Sequence, residues 1–196
     1  MVERDMGQHN QCQKRTRRSQ VSNNDGGNRL VGVRKGLSGG WREFEDIANL
    51  LKTHEHVRLI LKYDDPLSHL IYAAADMFII PSIFEPCGLT QMIAMRYGAV
   101  PIARKTGGLN DSVFDVDDDT IPTQFRNGFT FLNPDEQGLN GALDRALKHY
   151  KNNSQSWQQL VQKVMTIDFS WDSSALQYEE LYEKSVARAR AASSRA

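Results

Sequence analysis

The sequence has few cysteines, and this scarcity excludes two kinds of architecture. Cys12 and Cys87 are the only two in 196 residues. They are too few and too far apart in the chain for a disulfide framework or for a zinc site. A reducing compartment is therefore the default expectation.

The sequence also lacks a long apolar run and an excess of charge of either sign. No run approaches the roughly 20 apolar residues that a membrane-spanning helix needs, and no apolar segment follows the first charges as it would in a secretory signal. Lysine and arginine together number 24, as do aspartate and glutamate. The chain therefore has no overall positive field for nucleic acid, and we expect neither a membrane nor a nucleic acid as a partner.

The balanced total conceals a basic and polar first segment. Residues 1–40 are rich in arginine, glutamine, asparagine and glycine, and they cannot bury enough apolar surface to offset the entropy of ordering. We predict a disordered basic leader over residues 1–40, followed by one domain over residues 41–196. The cluster Lys14–Arg18 fits a solvated tail, a nucleic-acid patch or a targeting signal. The arginines resemble those of a transit peptide, but Glu3 and Asp5 argue against one.

From residue 41 onward, short apolar runs alternate with stretches of helical periodicity. Met77–Ile80 is continuously apolar and is stopped by Pro81, which is typical of a strand buried on both faces. The alternation predicts an α/β fold, with a parallel sheet and crossover helices. The predicted strands are Val57–Leu61, Met77–Ile80, Val100–Ala103 and Gly128–Leu132. The predicted helix Arg42–His54 precedes the first strand, and Leu67–Ala75 and Leu89–Tyr97 lie between later ones.

The last third of the chain is predicted to be helical. Asn133 can cap the first of these helices, with Pro134 at its first position and Glu136 placed for a reciprocal capping bond. A second amphipathic helix is predicted around Trp157, and a third is predicted to open at Ser170. We interpret the aromatic and methionine stripes of these helices as packing surfaces.

The segment Pro81–Gln91 leads from a predicted strand into the next helix and is a candidate ligand site. In an open parallel sheet, ligands bind at the carboxyl ends of the strands. Gly88 lets the backbone approach a ligand closely. The first amides of the next helix favour a phosphate, and Thr90 adds a hydroxyl. Residue pattern alone leaves open whether the carboxylate of Glu85 bonds the loop or serves a ligand.

The exact residue order of two segments is more informative than their composition. Phe84-Glu85-Pro86-Cys87-Gly88-Leu89-Thr90-Gln91, followed by Lys105-Thr106-Gly107-Gly108-Leu109, resembles the starch and bacterial glycogen synthase family. The likeness extends over residues 42–192, whereas residues 1–40 are predicted to be unlike the family. The last part of the likeness is similar to plant soluble starch synthases of class III or IV. The resemblance implies a retaining, ADP-glucose-dependent glucosyltransferase of GT-B architecture. In such an enzyme, this chain would be the C-terminal part of the Rossmann-like donor-binding domain.

The resemblance also implies roles for individual residues. Glu85 matches the carboxylate that lies against the glucose hydroxyls and the reacting face, where it would be catalytic. Cys87, Gly88 and Leu89 match the loop whose backbone meets the glucose and the phosphates. Thr90 matches a donor to the phosphate oxygens.

Other positions carry weaker implications. Tyr63 matches an aromatic that stacks on the adenine, although a partly buried turn residue would look the same. Gly107 and Gly108 resemble a second loop near the cleft, or else the plain start of a helix. Many related retaining transferases have a second glutamate at the position of Ile93. The starch and glycogen synthase family usually lacks it, as this sequence does. Covalent chemistry at Cys87 is rejected, because the resemblance gives it a backbone and packing role. The family implies no metal and no cofactor.

The resemblance is incomplete, and two hypotheses remain. The acceptor-side domain, with its own Lys-x-Gly-Gly-Leu loop, has no counterpart here, nor does the Arg/Lys pair that neutralises the donor pyrophosphate. The first hypothesis is a plastid starch synthase that lengthens an α-1,4-glucan from ADP-glucose, with other starch synthases as candidate partners. The second is a catalytically inactive truncated product that binds a nucleotide or serves as an interaction module.

Overall fold

The computed structural model describes residues 30–32, 41–61 and 64–193. Within them, four parallel strands form one sheet in the order β1-β2-β3-β4. The strands are β1 (Leu30–Gly32), β2 (Met77–Ile80), β3 (Val100–Arg104) and β4 (Phe129–Phe131). The helices are α1 (Trp41–Leu50), α2 (Asp65–Ala74), α3 (Thr90–Arg96), α4 (Glu136–Asn152), α5 (Ser154–Thr166) and α6 (Trp171–Ser193), and 3-10 turns lie at Leu51–Thr53 and Gly107–Leu109.

The parallel sheet with crossover helices is confirmed, but two predictions about its edge are wrong. Val57–Leu61 forms no strand, and Val57 and Ile60 are exposed. The place beside β2 is taken instead by Leu30–Gly32, which pairs with Met77–Ile79. The prediction of disorder over residues 1–40 is therefore wrong for these three residues, because a short strand can gain its order from pairing with a buried neighbour.

The core lies on the three later strands of the sheet. Every residue of β2 and β4 is buried, as are the first four residues of β3. Tyr72 of α2 stacks on Phe78, with 4.7 Å between the ring centroids. Trp157 of α5 stacks on Phe129, at 6.4 Å. Both faces of these strands are therefore covered, as is typical of a parallel sheet in an α/β fold.

Side-chain caps define where two of the later helices, α4 and α6, begin. The prediction that Asn133 caps α4 is wrong, because the Asp135 side chain accepts the bond from the Gly138 amide at 2.7 Å. The helix consequently begins at Glu136 rather than at Pro134. At α6, the Ser170 hydroxyl accepts from the Ser173 amide at 3.4 Å, as the sequence predicts.

The chain divides into two compact units, residues 1–165 and 166–196. In the first unit, Trp157 and Leu160 of α5 are buried, which confirms that this stripe packs in the core. In the second, α6 has no buried residue along its described length, and the rings of Tyr178 and Tyr182 stack on each other at 6.3 Å. No described helix is both long and apolar enough to cross a membrane.

Candidate functional site

Two turns meet at the carboxyl ends of neighbouring strands. The first, Pro81–Leu89, connects β2 to α3, and the second, Gly107–Leu109, follows β3. Because β2 and β3 pair in parallel register, the two turns leave the same edge of the sheet. This is the edge at which parallel α/β folds bind their ligands.

Glu85 is the acidic centre of the first turn. The residue is 8% exposed. One carboxylate oxygen accepts from the Ser82 hydroxyl at 3.3 Å, and the other accepts from the Gly88 amide, also at 3.3 Å. The carboxylate is thus oriented by one donor on each oxygen, and both are longer than an ideal charge-assisted bond.

The second turn packs directly on the first. The Gly108 amide donates to the Glu85 carbonyl at 2.9 Å. A Cβ atom on Gly107 would lie 2.1 Å from that same carbonyl oxygen, and one on Gly108 would lie 2.6 Å from the carbonyl oxygen of Cys87. The glycine pair therefore opens a 3-10 turn, as one of the two alternatives predicts, and it also contacts the Glu85 loop. Its place beside a ligand stays a prediction.

The remaining predicted residues divide by exposure. Cys87 and Leu89 are exposed, whereas Thr90 is buried and shares a hydrogen bond with Tyr72. Burial raises the pKa of the Tyr72 phenol, and the bond to Thr90 opposes that rise. Tyr63 lies outside the described residues, so its predicted place beside the adenine stays a prediction.

Arg104 is a residue of this region that sequence reasoning missed. Its guanidinium donates to the carbonyls of Ser82 and Ile83 in the first turn, and to the carbonyl of Leu132 at 3.0 Å. The side chain thereby ties the end of β3 to the loop after β2. The available signal was its position as the last residue of β3, at the edge of the candidate site.

Gln91 was also missed, although it stands inside the quoted motif. Its side chain is fully buried and donates to the Gly88 carbonyl and, at 2.9 Å, to the Ser112 hydroxyl. Ser112 in turn donates to the Gly108 carbonyl at 2.8 Å. The signal was its spacing, because Glu85, Gly88 and Gln91 follow one another at intervals of three.

A separate charged cluster lies beside β4. The carboxylate of Asp115 accepts from Arg145 at 2.8 and 2.9 Å, and from the amide and hydroxyl of Thr130 at 2.7 and 2.8 Å. Burial raises the pKa of Asp115, but these bonds and one from the Asp117 amide outweigh it and hold the pKa at about 2. An open pocket of about 410 Å³ adjoins the cluster, with Lys105, Asp118, Phe131 and Leu132 completing its lining.

This pocket does not include the Glu85 loop. Its two cations already have carboxylate partners, because Arg145 pairs with Asp115 and Lys105 lies 3.9 Å from Asp118. We interpret the cluster as an internal brace that joins α4 to the loop before β4. In the part of the chain that the structure describes, no group of three or more metal-ligating side chains occurs.

Comparison with known proteins places the chain in a family. The model for "Glycosyl transferases group 1" matches residues 24–163. The chain belongs to this family. The match includes residues 24–40, which were predicted to be unlike the family.

Within the family, the chain is similar to starch and glycogen synthases, as the resemblance implied. The chain is 73% identical over 154 residues to probable starch synthase 4 of Arabidopsis thaliana. This alignment covers 79% of this chain and 15% of that protein. It is 45% identical over 141 residues to a glycogen synthase of Protochlamydia amoebophila, covering 72% of this chain and 28% of the relative. The chain thus spans under a third of either relative.

Two solved structures support the fold. The catalytic domain of starch synthase IV from Arabidopsis thaliana, solved with ADP and acarbose, aligns at a TM-score of 0.75 and 54% identity, over 92% of this chain and 43% of that one. An Anabaena protein solved with UDP aligns at a TM-score of 0.57 and 18% identity, over 89% of this chain and 53% of that one, which supports the fold alone.

Proposed function

We propose that this chain is the C-terminal part of the donor-binding domain of a starch synthase. The enzyme transfers glucose from ADP-glucose to the non-reducing end of an α-1,4-glucan, and it retains the anomeric configuration. The observation that carries the proposal is the oriented carboxylate of Glu85, which is 8% exposed at the sheet edge and has a glycine turn packed against it. The 73% identity to probable starch synthase 4 supports the choice of donor and product.

In this proposal, Glu85 faces the glucosyl group and stabilises the positive charge that develops at the sugar. Such stabilisation is effective only if the carboxylate is already oriented, because reorganisation during the reaction costs rate. The donors from Ser82 and Gly88 supply that orientation. Each carboxylate oxygen accepts only one of these bonds, so each retains acceptor capacity for a substrate hydroxyl.

The loop around Glu85 receives the rest of the donor. The backbone of Cys87, Gly88 and Leu89 contacts the glucose and the phosphates, and Thr90 donates to a phosphate oxygen. Tyr63 stacks on the adenine. The turn Gly107–Leu109 closes this side of the cleft. The reaction requires no metal and no cofactor.

The cellular location, substrates and partners of the enzyme are proposed from its similarity to known proteins. Arabidopsis relatives are described as chloroplastic/amyloplastic, and we assign this protein to the plastid. The substrates are ADP-glucose and an α-glucan such as amylopectin, consistent with the ADP and acarbose seen in the starch synthase IV structure. Association with other starch synthases is a further proposal.

A hybrid catalytic domain tests the proposed function. In it, this chain replaces the matching 43% of the Arabidopsis starch synthase IV catalytic domain. The hybrid should incorporate radiolabelled glucose from ADP-glucose into glycogen, and Glu85→Ala should abolish incorporation. A folded hybrid that transfers no glucose would contradict the proposal.

The second candidate is a module that binds nucleotide or partner without transferring glucose. The observation that favours it lies within the chain itself, where the Glu85 loop and the turn Gly107–Leu109 meet at one edge of the sheet. Binding of ADP by the chain alone, with no transfer in the hybrid catalytic domain, would favour this second candidate.

A further inference from the structure

The amide group of Gln91 is buried, and its hydrogen bonds define its orientation. Its nitrogen faces the Gly88 carbonyl, which can only accept. The same nitrogen faces the Ser112 hydroxyl, whose own hydrogen is committed to the Gly108 carbonyl. Both amide hydrogens are therefore used, and the reverse orientation would set two acceptors against each other.

From these contacts we infer that Gln91 is a positioning residue for Glu85. Gly88 connects the two, because its carbonyl accepts from Gln91 and its amide donates to the Glu85 carboxylate. The inference rests on the proposed function of Glu85, and it assigns to Gln91 no contact with substrate.

The conformation of Gly88 makes this connection possible. Gly88 has φ of +68°, and a Cβ atom there would lie 2.6 Å from the Gln91 amide nitrogen. A glycine adopts this backbone conformation readily, but it also has many others available. The bond from Gln91 selects one of them. Because a trans peptide directs its carbonyl and amide to opposite sides, it also fixes the direction of the Leu89 amide.

The same side chain joins the two turns of the site. Through Ser112, Gln91 reaches the Gly108 carbonyl, while the Gly108 amide donates to the Glu85 carbonyl. The peptide groups of both turns are therefore fixed from one buried point.

The oxygen of this amide supports a positioning role. Gln91 Oε1 is buried and has no hydrogen-bond partner among the described residues. An unsatisfied buried carbonyl opposes stability, so an apolar side chain would serve packing alone better. The two donors of Gln91 are what an apolar side chain cannot replace.

Amide spectroscopy on the full chain tests the connection between Gln91 and Gly88. In Gln91→Leu, the Gly88 amide resonance should move and its solvent exchange should speed up by about tenfold or more, because a local restraint is lost. Ser112→Ala should affect Gly108 more than Gly88. Gln159→Leu, on the exposed side of α5, is the matched control and should change neither.

Turnover in the hybrid catalytic domain tests the functional consequence. Gln91→Leu should lower kcat by about tenfold or more, since a small misplacement of a reacting group is costly, and should leave the KM for ADP-glucose within about threefold. Rates are normalised to folded protein, and Gln91→Met replaces the leucine variant if that one does not fold. A purely structural residue would reduce the folded amount without lowering kcat.

The outcomes separate this inference from the proposed function. An unchanged Gly88 amide in folded Gln91→Leu would overturn the inference. Full turnover of Gln91→Leu beside an impaired Glu85→Gln would also overturn it, and would leave the proposed function intact. Full turnover of Glu85→Gln would instead overturn the catalytic role of Glu85.

Discussion

Gly107 and Glu85 are in such close contact that a Cβ atom on the glycine would lie 2.1 Å from the glutamate carbonyl oxygen. Gly107 also has φ of +48°, a conformation that costs other residues roughly 1–2 kcal/mol. Two separate constraints therefore require glycine at this position. The position of the main chain at Glu85 depends on both.

Gly107→Ala should lower the free energy of unfolding by about 2 kcal/mol or more, because backbone strain and the clash add. Denaturant unfolding of the full chain measures this. Gly141→Ala is the matched control: it lies within α4 and a Cβ there meets nothing within 4 Å, so it should stabilise by up to about 1 kcal/mol. Equal stability of the two variants would contradict the close contact at Gly107.

Glu85→Gln in the hybrid catalytic domain should reduce kcat by about a hundredfold or more and weaken ADP binding by less than about threefold. The reason is that its charge is proposed to act on the transition state rather than on the nucleotide. Steady-state kinetics and calorimetric titration with ADP give the two quantities. Near-normal turnover would remove Glu85 from the catalytic role.

The purified 196-residue chain should show no transfer from ADP-glucose to glycogen or amylopectin. The proposed transfer uses a whole catalytic domain, and this chain aligns with 43% of the one from starch synthase IV; the charge stabilisation that a complete site supplies is worth several kcal/mol. Incorporation of radiolabelled glucose above that of the Glu85→Ala chain would show the expectation to be wrong.

Asp115→Asn should remove a pH-dependent part of the stability. The folded pKa of Asp115 is about 2, below the ordinary 3.8. The ion pair therefore contributes fully above pH 3.8, and the contribution is lost as the pH falls towards 2. The shift corresponds to about 2 kcal/mol.

Denaturant unfolding of the unmodified chain and of Asp115→Asn, measured from about pH 6 to about pH 2 so as to span the titration of Asp115, gives this contribution. The gap in stability between the chain and Asp115→Asn should narrow as the pH falls. The exposed Asp111 provides the control, and Asp111→Asn should leave the profile unchanged. A gap that is constant with pH would mean that charge at Asp115 is not what stabilises the loop.

Tyr63→Ala in the hybrid catalytic domain should raise the KM for ADP-glucose by about tenfold to a hundredfold, since stacking on a base is worth roughly 1–3 kcal/mol. Tyr63→Phe should change it little, because the ring face rather than the hydroxyl is invoked. An equal rise in KM in the two variants would exclude stacking. An unchanged KM in both would mean that the adenine does not bind at Tyr63.

The sequence was sufficient for the parts of the fold whose burial leaves a pattern. Met77–Ile80 is apolar throughout because both faces of β2 are covered, and its strand was predicted correctly. Val57–Leu61 has a similar pattern, but pairing depends on which segment reaches the edge of β2, and that is a tertiary property. Leu30–Gly32 is too short for its pattern to distinguish it from a loop.

The candidate site was likewise predictable only in part. The motif located Glu85, and its position after a strand located the turn. Gln91 and Arg104 could not be given roles, because their importance lies in the carbonyl groups that they contact. Main-chain carbonyls leave no trace in a residue pattern.

The position of β1 has a consequence for the order in which the sheet assembles. Met77 and its partner Val100 are 23 positions apart, whereas Leu30 and Met77 are 47 apart. Closing a loop of twice the length costs about 0.6 kcal/mol more, and β1 offers only three residues in return. The β2–β3 pair should therefore form early, with β1 adding last and detaching first. Hydrogen exchange would show this as amides of β1 that open well below the energy of global unfolding.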